Sequence, residues 1–310
     1  MSRRWCFVAL LGTLSGTAGC RREGNAEAAS AMRVELASRE GRLSRRQADT
    51  SGAGGGAPLA QWMLPGSLGE VSGLAIMSDG RLLAHDDESA RVTVLDPRRG
   101  TLLKTFYVGN HGTKGDFEGI AVAGDVIYLM TSKGVLYAFR EGADRADVKY
   151  AMHDTKLGKE CEFEGVAHDP TANQLVMACK HVGDKDLKDY LVLYRVALPI
   201  AASPEITRQT ISLEQLRTTH QWKGLHPTDL ARDPATGNYV MVAALERALI
   251  EITTDGSVVQ AIPLPGKHGQ AEGVAITSDG VLIISDEARA KAATITLYRW
   301  PLADTSAARS

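Results

Sequence analysis

A six-residue motif recurs along this chain, and its recurrence limits the fold more than any other feature. Cys161 to Pro170 reads C-E-F-E-G-V-A-H-D-P, and Asp116-Phe117-Glu118-Gly119-Ile120-Ala121 repeats its centre almost letter for letter. Gln270-Ala271-Glu272-Gly273-Val274-Ala275 is a third copy, and Glu70-Val71-Ser72-Gly73-Leu74-Ala75 a fourth with a hydroxyl in place of the glutamate. His226-Pro227-Thr228-Asp229-Leu230-Ala231 is a weaker fifth. Gly73, Gly119 and Gly165 are 46 residues apart and Asp229 precedes Gly273 by 44, the period of a four-stranded propeller blade. The step from Gly165 to Asp229 is 64 residues, so an insertion is expected near 182–222.

Each copy is followed by the signals a blade needs. After Gly73 come an apolar run, the turn Ser78-Asp79-Gly80, the runs Arg81–His85 and Arg91–Leu95, a Pro97/Gly100 turn and Thr101–Val108. The last copy repeats the scheme with Ser278-Asp279-Gly280, Val281–Ser285 and Thr294–Trp300. Asp-Gly between apolar runs marks a hairpin. Five units starting near residues 70, 116, 162, 226 and 270 fill the segment 59–301, which predicts an all-β, five-bladed propeller, with a six-bladed ring as the alternative. The last unit carries only three strands of its own, so Ala60–Leu64 is expected to supply its outer strand and close the ring.

Ahead of the propeller, Arg3 and Arg4 precede an apolar run from Cys6 to Gly19 that is too short to span a bilayer. Residues 1–19 read as an export signal. Ala18-Gly19-Cys20 resembles the bacterial lipobox, which implies lipidation at Cys20, although Thr17 stands where that motif has leucine. The expected location is the bacterial cell envelope, lipid-anchored and facing the periplasm or the surface, with a secreted or soluble periplasmic protein as the alternative. Residues 20–58 are rich in Ala, Gly, Ser, Arg and Glu and read as a flexible tether, and 302–310 as a tail.

Without the signal's two arginines the chain has 33 basic and 37 acidic residues, a balance of −4. Nothing in that favours nucleic acid. A monomer is expected, meeting the membrane through its lipid anchor only and an unidentified protein or polar ligand through one propeller face.

The repeated F-E-G-[IV]-A, the strand Ala243–Leu249, and Ala271–Ala275 with Ser285-Asp286-Glu287 together resemble the SdiA-regulated family of bacterial envelope proteins. That resemblance implies a five-bladed propeller distantly similar to NHL repeats, a bound calcium ion and no settled biochemical role.

The repeated glutamate can also be read by itself. Innermost strands line the axis of a propeller, so equivalent residues form a ring. The residue before the motif glycine or its Asp229 counterpart is Ser72, Glu118, Glu164, Thr228 and Glu272. Glu118, Glu164 and Glu272 would therefore converge at one mouth, where carboxylates need a proton or a cation. Oxygen ligands in a wide ring suit Ca2+, and Mg2+ less well. The position is also similar to that of the metal ligands in the calcium-dependent gluconolactonase family. The competing reading has these glutamates capping strand ends. A further acidic set, Asp86-Asp87-Glu88, Glu246 and Asp286-Glu287, follows the second strand of several blades and forms a possible second ring.

Cys161 and Cys179 lie on adjacent strands in an exported protein, so a disulfide and two small buried residues are both open readings. The chain lacks G-x-S-x-G, H-E-x-x-H and a phosphate-binding glycine loop. Two functions follow: a calcium-binding module for binding or scaffolding, or a calcium-dependent hydrolase, lactonase-like or phytase-like, with His111, His226 or His268 near the metal.

Overall fold

The computed structural model describes residues 56–289 and 291–302, and the backbone of a two-residue strand, Ser44–Arg45. The expected signal, Cys20, most of the tether and most of the tail lie outside these residues. No helix among them is long and apolar enough to cross a membrane.

Five sheets follow one another along the chain, antiparallel except where Asp147–Val148 adds to the edge of the first in parallel. Blade 1 is built from Val71–Ile76, Leu82–Asp86, Arg91–Asp96 and Thr101–Val108, and blade 2 from Phe117–Ala123, Val126–Thr131, Val135–Phe139 and Tyr150–Asp154. Blade 3 holds Cys161–Asp169, Gln174–Val182, Tyr190–Ala197 and Ile206–Ser212, and blade 4 Asp229–Arg232, Tyr239–Ala243, Ala248–Ile252 and Val258–Pro263. Blade 5 runs Ala271–Ile276, Val281–Asp286 and Thr294–Arg299, and its outer strand is Ala60–Met63, paired antiparallel with Thr294–Leu297. The inner strands touch in cyclic order, blade 5 packing back on blade 1. Outside Ala60–Met63 lies Ser44–Arg45, a piece of the expected tether that forms sheet instead, Ser44 opposite Met63.

The core is not central. Five apolar clusters lie in the five gaps between blades, such as Phe106, Phe117, Ile120 and Leu129 between blades 1 and 2, and Trp62, Leu68, Leu82 and Ile295 between blades 5 and 1. Each sheet is thus covered on both faces, which is why second and third strands such as Leu82–Asp86 and Ala248–Ile252 are buried along their whole length rather than alternately. At ~1.5–3 kcal/mol for each fully buried large apolar side chain, these gaps supply the fold's driving force.

The segment 182–222 is not one insertion. It contains blade 3's own two outer strands, and the additions are the 3-10 turn Lys185–Leu187 and a helix, Glu214–His220. Ser212 Oγ accepts from the Glu214 amide at 3.3 Å, and the N-cap position is Leu213.

The motif glycines form the waist of the ring. A Cβ on Gly119 would stand 3.1 Å from the Gly165 Cα, and one on Gly165 2.7 Å from the Leu230 amide nitrogen. Gly165 also has φ +121°, a region costly for side chains. Replacing Gly165 with Ala is therefore expected to lower unfolding free energy by about 3 kcal/mol or more. Gly80→Ala, at φ +84° in open space, should cost only about 1–2 kcal/mol; urea titrations of the two variants check the contrast.

Candidate functional site at the acidic mouth

Register decides where the repeated glutamates point. Pairing between the first two strands slips at the motif in four blades, between Val71 and Gly73, Phe117 and Gly119, Phe163 and Val166, and Ala271 and Gly273. Ser72, Glu118, Glu164 and Glu272 fall in these slips. A bulge leaves the extra residue out of the ladder and re-aims its side chain, and the glycine beside it lets neighbouring backbones close to contact. These four side chains line one cavity of about 140 Å³, together with Glu70, Asp87, Lys180, Gln270 and Glu287.

One hydrogen bond inside it joins two blades, and the others lie within a blade. Ser72 Oγ donates to Glu118 Oε2 at 3.0 Å, and Lys180 Nζ donates to Glu164 Oε1 at 2.9 Å. Gln270 Nε2 donates to Glu287, and its carbonyl oxygen accepts from Arg289 at the rim. Burial raises the Glu118 carboxyl to about 9, with repulsion from Glu164 adding to it. Burial likewise lifts Glu164 to about 7 against the pull of Lys180, and lifts Glu272 above the ordinary range. Burial pulls Lys180 down, but Glu164, Glu272 and Glu118 outweigh it and hold the ammonium protonated. Desolvation and the Glu70 charge raise Asp87 to about 6.

Of the second acidic set, Asp87 and Glu287 reach this cavity, and Asp86, Glu246 and Asp286 serve elsewhere. Asp86 accepts from the Ser89 amide and hydroxyl, both at 2.9 Å, while Glu246 and Asp286 each hold a histidine ring, His226 and His268. Thr228 is turned away as well, its hydroxyl donating to the Ala271 carbonyl at 2.6 Å. Cys161 and Cys179 are joined by a disulfide with Cα atoms 5.6 Å apart. It clamps the first two strands of blade 3 beside Glu164 and Lys180.

At the waist stands Asp229, against Gly165, where blade 4 departs from the glycine pattern. Its fully buried carboxylate accepts from the amides of Leu230 at 2.7 Å, Val274 at 2.8 Å and Leu74 at 3.4 Å, tying blades 4, 5 and 1 at the axis. Burial drives its pKa well above the usual value even with three donors. Below it, the far ends of the inner strands form a wider funnel of about 620 Å³ lined by Leu74, Ile120, Val166, Leu230 and Val274.

The donors at the mouth are hard oxygens, and three central carboxylates outnumber the single ammonium, which is the chemistry a divalent cation answers. Among the described residues, however, no group of three His, Cys, Asp or Glu side chains is arranged to hold a metal ion as it stands. Lys180 is paired with Glu164 there. Nothing in the spacing of the sequence shows that blade 3's second strand carries this lysine inward.

Glu118 and Glu164 titrate above the carboxylate value of the unfolded chain, so the folded state keeps protons that the unfolded state has released. Their stabilisation is complete below about pH 4.5 and is lost as pH rises through about 7 and about 9. Unfolding free energy in metal-free buffer is expected to fall across that window. Glu118→Gln should flatten the fall and be the more stable protein at pH 8, by on the order of 1–2 kcal/mol; denaturant titration of both proteins at pH 5, 7 and 9 is the check.

Solved structures overlap the ring at low identity. The PQQ-bound aldose sugar dehydrogenase of Streptomyces coelicolor is 14% identical, with 78% of this chain and 99% of that chain covered at a TM-score of 0.48. A luciferin-regenerating enzyme is 9% identical over 79% of this chain and 97% of its own, also at 0.48. A streptogramin B lyase is 14% identical over 79% and 74%, at 0.40. No activity is carried over from them, and no curated protein sequence matches. A family profile described as SdiA-regulated matches residues 208–305, which hold the end of blade 3, blade 4 and blade 5. The motifs and the propeller agree with that match: the chain is a β-propeller whose residues 208–305 match the SdiA-regulated family model.

Proposed function

We propose that the protein is an envelope-anchored module for binding or scaffolding, and that its acidic mouth is the place where a cation enters. One observation carries this reading: four bulged positions, on blades 1, 2, 3 and 5, deliver Ser72, Glu118, Glu164 and Glu272 to one small cavity. A cap for strand ends has no need to bring carboxylates together against their own repulsion.

Ca2+ suits these donors best, and Ser72, Glu118, Glu164 and Glu272 would hold it. Bound there, it would supply positive charge that joins the blades. The ammonium of Lys180 competes for the same carboxylates, so ion binding and lysine pairing are alternatives. The hydrolase reading stands second, because none of His111, His226 and His268 lines the acidic cavity.

Thermal unfolding with Ca2+, Mg2+ or EDTA tests this directly. Ca2+ is expected to raise the melting temperature more than Mg2+ does, and Lys180→Gln to tighten Ca2+ binding at least tenfold, while Glu164→Gln weakens it. Identical melting curves with Ca2+ and EDTA, in both the parent and Lys180→Gln, would remove the ion from the reading.

A further inference from the structure

Two blades repeat a histidine–carboxylate pair, and only one of the two is closed. In blade 5, His268 gives one ring nitrogen to Asp286 Oδ2 at 2.7 Å and the other to the Tyr298 hydroxyl at 3.0 Å, and its side chain is 1% exposed. Both nitrogens are used, so that ring is part of the fold. In blade 4, His226 Nδ1 is 2.8 Å from Glu246 Oε1, and the other oxygen of the same carboxylate accepts from the His226 amide at 3.3 Å. Glu246 is buried, with 6% of its side chain exposed, and His226 is 27% exposed. No tyrosine caps this ring. Nε2 has no hydrogen-bond partner among the described residues, and the neighbouring ring is His181 of blade 3, its centre 5.1 Å away and its plane tilted by 58°.

We propose that His181 and His226 form a binding site for a borderline transition-metal ion, with Zn2+ as the type, separate from the oxygen-lined mouth. A carboxylate on Nδ1 fixes the tautomer and leaves Nε2 as a lone pair, the arrangement that orients a metal-binding imidazole. Two imidazoles bound to one tetrahedral ion at ~2.0–2.1 Å hold their ring centres about 5 Å apart, which is the separation found here. A tilted pair also suits ligation better than flat stacking does. Glu162 stands directly across the strand pair from His181 and is exposed, within reach of the ion by a change of rotamer. Water completes the shell, since no third protein ligand is in place as the side chains stand. Imidazole nitrogens prefer Zn2+, Ni2+ or Cu2+ to Ca2+, so the two sites take different ions.

Zn2+ titration of the full chain by calorimetry, with Co2+ absorption spectra as a second readout, tests the assignment. One ion per chain is expected at this site, with affinity falling at least tenfold in His181→Ala and in His226→Ala. Glu246→Gln should weaken binding about 10–100-fold through loss of ring orientation, without removing the Co2+ spectrum at saturation. Glu118→Gln should leave Zn2+ affinity unchanged, which separates this site from the calcium reading. His181 is exposed, so its replacement is not expected to disturb folding, and circular dichroism verifies that. Equal Zn2+ affinity in the parent and both histidine variants, or loss of binding in Glu118→Gln in their place, overturns the proposal.

Discussion

Everything in this molecule depends on sheets packing face to face around an axis. No blade has a core of its own: the side chains of Leu82–Asp86 or Ala248–Ile252 are buried only because another sheet lies on each side. A chain that must cover both faces of every sheet has to close on itself, and the gap between blades 5 and 1 is filled by Trp62 and Leu68 from the N-terminal segment with Leu82 and Ile295. Trp62 Nε1 also donates to the Pro97 carbonyl of blade 1 at 2.7 Å, so the ring is joined by a polar contact as well as by burial.

Closure has a consequence at the axis. Five inner strands brought together leave no room for side chains at the waist, hence the glycines at 73, 119, 165 and 273 and the close approach of their backbones. The single non-glycine, Asp229, takes the remaining space and binds three amides from three blades. The axis carries two depressions of different chemistry, one small and acidic, the other wider and lined by apolar and charged residues together. The bulges next to the glycines turn Ser72, Glu118, Glu164 and Glu272 into the first of these. Packing, register and charge at the mouth are thus one arrangement: the glycine that permits close approach stands beside the residue that the bulge expels from the ladder.

Charge at the mouth is balanced by means that a list of acids does not reveal. Glu118 keeps its proton because it is buried and beside Glu164, and Glu164 is paired with Lys180. Protonation and an internal ammonium are the two cheapest answers to crowded carboxylates, and each leaves the mouth sensitive to an added cation. The disulfide from Cys161 to Cys179 joins the two strands that carry Glu164 and Lys180.

The sequence alone determined the number of blades, their order and nearly every turn of blade 1, because a period of about 46 residues and Asp-Gly hairpins are local properties of the chain. It also put Glu118, Glu164 and Glu272 at equivalent positions, since repetition in sequence becomes rotation in space. What lay beyond it were contacts between residues far apart in the chain. Only the tertiary structure decided that Lys180 faces these glutamates, that Thr228 turns away to the Ala271 carbonyl, that Asp86, Glu246 and Asp286 bond to Ser89, His226 and His268, and that part of 182–222 is ordinary blade. The reason is physical: spacing along a strand fixes which face a residue occupies, but the partner it meets there comes from another blade, and only the closed ring sets that distance.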